Sequence, residues 1–82
     1  MSEYRFTIRW KEELVIEGGE QSLVVEMTMG RACVYFPTEE MWREKAPTWA
    51  HGEHAEILRQ LQAWAKGQNI PVEVTSAWVY AE

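Results

Sequence analysis

Hydrophobic residues along this chain change their spacing from every second residue to about every 3.6 and then back, and these changes fix what kind of domain it can build. From Glu3 to Trp10 the residues alternate strictly, with Tyr4, Phe6, Ile8 and Trp10 on one side and Glu3, Arg5, Thr7 and Arg9 on the other. That is a strand with one buried face, and it assigns Trp10 to the core. Lys11-Glu12 turns the chain into a second run, Leu14-Val15-Ile16, and Gly18-Gly19 provides the positive φ of a tight hairpin. Leu23, Val25 and Met27 then alternate against Val24, Glu26 and Thr28. Gly30-Arg31 suits a further two-residue turn before Ala32, Val34 and Phe36, which oppose Cys33 and Tyr35. Residues 3 to 36 therefore read as an antiparallel meander of about four strands.

Thr38 is a good N-cap, and Glu39 and Glu40 follow it where a helix dipole favours negative charge. Pro47 disfavours helical geometry at Ala46, so this helix is short. Beyond Gly52 the helical period takes over, with Ile57, Leu58, Leu61, Trp64 and Ala65 on one face. The spacing predicts a main helix over 53–66 with Gly67 as its left-handed cap. A last strand follows from Asn69 to Thr75 and either continues to Tyr80 or bends at Ser76-Ala77. The expected class is α+β: a meander, one main amphipathic helix packed on one face of the sheet, and a final C-terminal strand. Eighty-two residues make one domain, 1–82, with room for a single modest core.

Eight basic residues oppose thirteen acidic ones, all of them glutamate, for a net charge of -5. The balance argues against nucleic acid and anionic membrane surfaces, because affinity for phosphate begins with its neutralisation. It leaves a basic protein as the favoured partner. Without aspartate, an EF-hand loop and a Ser-His-Asp triad are excluded. No apolar run reaches the length of a membrane span, and Glu3, Arg5 and Arg9 interrupt what would be a signal peptide. A cytoplasmic protein is expected.

His51 and His54 are the residues nearest to a metal pair, with Glu53, Glu56 or Cys33 as a third ligand. His54 falls within the helix's apolar stripe, which favours a core-edge histidine bonded to backbone or carboxylate. Cys33, on an alternating strand, reads as a small hydrophobe. No catalytic residue, metal or cofactor is assigned. Five tryptophans remain: Trp10 and Trp64 are expected in the core, while Trp42, Trp49 and Trp78 could clamp the chain or anchor a partner. The irregular segment between sheet and helix makes Trp42 and Trp49, with Glu39, Glu40 and Glu44, the expected partner-binding residues.

From Leu23 to Thr75 the order is paired strands, the aromatic-proline segment Met41-Trp42 through Pro47, an amphipathic helix, then Ile70-Pro71-Val72-Glu73-Val74. This order resembles the small immunity proteins of bacterial polymorphic toxin systems. The resemblance implies a compact α+β domain that blocks a toxin by binding it and does no chemistry. The reading is a small acidic protein-binding module. Its alternatives are a homodimer joined through a sheet edge or the outer sheet face, and a small enzyme or metal site using His51, His54 and Cys33.

Overall fold

The computed structural model describes residues 3–10, 12–28 and 30–81. Strands β1 (Arg5–Arg9), β2 (Glu13–Gly18), β3 (Gln21–Thr28) and β4 (Cys33–Pro37) form the meander. Helix α1 (Glu39–Lys45), a 3₁₀ segment (Thr48–Glu53) and helix α2 (His54–Gln68) lead to β5 (Val72–Thr75) and β6 (Val79–Ala81). The sheet order is β1-β2-β3-β4-β5, antiparallel except for β5, which runs parallel to β4. The expected α+β class holds, with one addition: the final strand is two strands, and β6 pairs with β3.

The place of β6 follows from how β4 leaves its neighbour. β4 pairs with β3 only from Cys33 to Tyr35, and Pro37, with no N–H to give, pairs instead with Thr75 of β5. That frees the edge of β3 at Leu23–Val25, and Val79–Ala81 fills it in register. The chain reaches this position through a tight turn in which the Ala77 N–H donates to Thr75 O at 2.7 Å.

The turns obey local chemistry with small offsets. Gly18 remains in β2 opposite Gln21, so the tight turn is Gly19-Glu20, with Gly19 at φ +64°. The Thr28↔Cys33 register is the one a turn at Gly30-Arg31 gives, although Met29 lies outside the described residues. So does Lys11 of the first turn. Thr38 caps α1 as expected, its hydroxyl accepting from the Met41 N–H. α2 runs to Gln68, two residues past Lys66, and the left-handed cap is Asn69 rather than Gly67. Asn69 N–H donates to Lys66 O and Ile70 N–H to Ala65 O, the paired bonds of a Schellman motif, with half-buried Ile70 packed on the core.

The core lies between the inner face of the sheet and the helices. Leu14, Ile16, Leu23, Val25, Met27, Val34, Phe36 and Val79 meet Ile57 and Leu61 of α2. Trp42 belongs to this core: it is 1% exposed, and its indole N–H donates to Ala50 O at 2.7 Å. This corrects its assignment to a binding surface. Trp10 is corrected in the opposite sense. It leaves the strand at φ 58° and is 79% exposed, because α2 covers only the Tyr4–Phe6 end of β1, where Phe6 packs on Trp64.

Candidate functional site

The sequence-derived binding residues do not form one surface. Trp42 is inside, and Trp49 is half-buried against the core. Glu39, Glu40 and Glu44 are exposed on α1 beside Arg43 and Lys45. That segment offers mixed charge with no exposed aromatic anchor.

The residues capable of acid-base or ligand chemistry are dispersed. His54 sits between the rings of Phe36 and Trp42, at 5.1 and 5.3 Å, and its Nε2 donates to Pro37 O at 2.8 Å. It is the backbone-bonded core-edge histidine expected. His51 Nε2 donates to Ala46 O at 2.9 Å. Cys33 projects from the other face of the sheet, its thiol near Val34 O. A groove of about 760 Å³ runs between β1 and α2, lined by Tyr4, Phe6, Gln60 and Trp64 among others. Its Glu56 is engaged by Arg59 and Gln60, which hold the carboxyl down to about 2, and Gln60 Oε1 accepts the Tyr4 N–H.

The surface left uncovered by helices is the outer face of the sheet. Register builds it in rows. Arg9, Glu13, Glu26, Tyr35 and Glu73 stand side by side across β1 to β5. The adjacent row is Thr7, Val15, Val24 and Tyr80, the last supplied by β6. Val24 is 0% exposed although no helix lies over it. Tyr80 begins beside it on β6 and reaches beyond it to donate its phenol to Glu13 Oε2 at 2.6 Å. Trp78 stacks on Tyr80 with ring centroids 5.3 Å apart, and the two remain 36% and 40% exposed.

Charge on this face is unevenly satisfied. Glu13 receives Tyr80 on one oxygen and Arg9 Nε on the other at 3.0 Å. The Tyr80 bond first, and then Arg9, holds its carboxyl below the usual carboxylate range. The same bond raises the Tyr80 phenol above its ordinary value. Glu26 and Glu73 flank Tyr35 on either side, and their carboxylates make no hydrogen bond or ion pair among the described residues.

Alternation marks Glu26, Cys33 and Tyr35 as outward-facing from sequence alone. Tyr80 escaped that reading because the bend at Ser76 reverses parity, and Glu73, which alternation sets opposite Val72 and Val74, joins the row only through the parallel pairing of β5 with β4. Val72 and Val74 face inward, whereas Tyr80 faces outward opposite Val24. Compared with protein-family models, curated proteins and solved structures, the chain matches none.

Proposed function

We propose that this chain is a small acidic protein-binding module that acts by covering part of a basic protein partner and does no chemistry itself. The observation that carries the reading is the uncovered sheet face, where an exposed tryptophan-tyrosine stack adjoins two carboxylates that have no partner among the described residues. Aromatic side chains anchor interfaces, and complementary charge speeds encounter. The dispersal of His51, His54 and Cys33 over both faces of the sheet gives no support to the enzyme or metal alternative. Neutralisation of a toxin-like partner, implied by the resemblance to immunity proteins, is the form of binding that fits this reading. We place the protein in the cytoplasm; no described helix is long and apolar enough to cross a membrane.

The test is co-purification of the full chain from its native cells at low and high salt, followed by reconstitution with the captured protein. A stoichiometric complex whose association slows as salt rises is expected. A monomer that retains no protein overturns the proposal. Self-association is the second reading, favoured by the open edge of β1 at the end of the sheet. Sedimentation showing a dimer at micromolar concentration would establish it.

A further inference from the structure

We infer that the outer sheet face receives an extended, arginine-bearing segment of the partner, with one guanidinium over Tyr35 between Glu26 and Glu73. The inference rests on the protein-binding reading and assigns its surface and the chemistry of its occupant.

Three observations converge. First, Glu26, Tyr35 and Glu73 share one row on three adjacent strands, so the backbones that carry the two glutamates lie about 9.6 Å apart with that of Tyr35 between them. A planar cation over an aromatic face is attracted by the ring quadrupole, and carboxylates at its edges accept its N–H groups. Second, neither carboxylate has a partner among the described residues, unlike Glu13 in the same row, whose two oxygens are both occupied. Third, the Trp78–Tyr80 stack stands on the same face and is held in place by the bond to Glu13, so it meets an incoming chain already ordered.

Charge selects among occupants. A second copy docked through this face would bring its own Glu26 and Glu73 against the same acidic row, and a nucleic acid would bring phosphates. An extended polypeptide bearing cations on alternate residues presents them all on one side, so that one complements the row while the next stacks on the aromatic pair. The guanidinium is preferred to an ammonium because its planar fork can stack on Tyr35 and reach a carboxylate at the same time.

The probe is a short peptide of alternating arginine and threonine, titrated into the full-length chain while backbone amide and indole NMR signals are followed. Saturable shifts confined to Glu26, Tyr35, Glu73 and Trp78 are expected. Glu26→Gln combined with Glu73→Gln should weaken the peptide about tenfold, within the range for two exposed ion pairs removed together, without lowering the melting temperature. Tyr35→Leu should weaken binding while preserving its salt dependence. Equal binding by a peptide with citrulline in place of arginine would overturn the inference, as would an absence of saturable shifts. Shifts centred on Glu39, Glu40, Glu44 and Trp49 would overturn it too while leaving the protein-binding reading intact. That reading stands or falls separately, on co-purification of a partner.

Discussion

Tyr80 and Glu13 belong to strands that are not neighbours, yet the phenol donates to Glu13 Oε2 across 2.6 Å. β6 and β2 flank opposite edges of β3, so the bond spans the central strand and Val24 lies beneath it. Tyr80→Phe removes the largest cause of Glu13's lowered pKa. The Glu13 titration, followed by carboxyl carbon NMR, should move upward toward the ordinary glutamate value. An unchanged Glu13 would mean that Arg9 alone holds it.

Acid should act through Glu56. Its carboxyl is lowered from 4.5 to about 2, first by the hydrogen bond from Arg59 and then by that from Gln60. The folded state thus favours the ionised form. The stabilisation is complete above the unfolded pKa and is lost as pH falls from about 4.5 through about 2. Arg59→Ala should raise the Glu56 midpoint and flatten the dependence of melting temperature on pH across that window. Because the pair is partly solvent-exposed, the change will be modest and should shrink in high salt.

Leu61 is fully buried in the centre of the α2 stripe. Leu61→Ala should cost about 2–5 kcal/mol in urea unfolding, a large share of the stability expected for a domain this small. Wild-type stability in that variant would contradict the packing of α2 on the sheet.

Trp42→Phe keeps a ring against Phe36 but removes the buried hydrogen bond from the indole N–H to Ala50 O. A loss of about 0.5–1.5 kcal/mol is expected from that bond, before any effect of lost volume. Trp42 variants should lose stability, measured by thermal unfolding, before any partner is added. A variant that is fully stable but selectively defective in binding would return Trp42 to the surface.

Gly18 and Gly19 should respond to alanine for different reasons. A Cβ on Gly18 would stand 2.6 Å from Tyr4 Cε1, and the ring cannot easily move because its hydroxyl donates to Glu53 Oε1 at 2.6 Å. At Gly19 there is open space, but φ is +64°. Gly18→Ala should be rescued in part by Tyr4→Leu, whereas Gly19→Ala should not. Gly19→Asn should restore most of its loss, since asparagine tolerates left-handed geometry. Equal rescue at both positions, seen in their melting temperatures, would remove the distinction.

Local patterns showed the meander, the α2 stripe and the Thr38 cap because each depends on residues a few positions apart. Burial that depends on distant packing escaped them. The sequence around Trp42 is dominated by charge, and the rings of Phe36 and His54 that pack on it are brought there by the fold. Trp10 continues the alternation of β1 but lies where no helix covers the strand. For the candidate site, Glu26 and Tyr35 were visible as outward-facing. Their neighbours Glu73 and Tyr80 depended on a parallel pairing and a bend, which alternation cannot register.

The insertion of β6 beside β3 also orders events during synthesis. Until residues 79–81 have emerged, the edge of β3 at Leu23–Val25 has no strand to pair with. A nascent chain therefore displays a short apolar segment able to join another unfinished chain. Glu20 and Glu26 bracket that segment, in the manner of gatekeeper charges that discourage such pairing. In the growing polypeptide Glu26 therefore sets a negative charge at one end of the segment that β6 later covers.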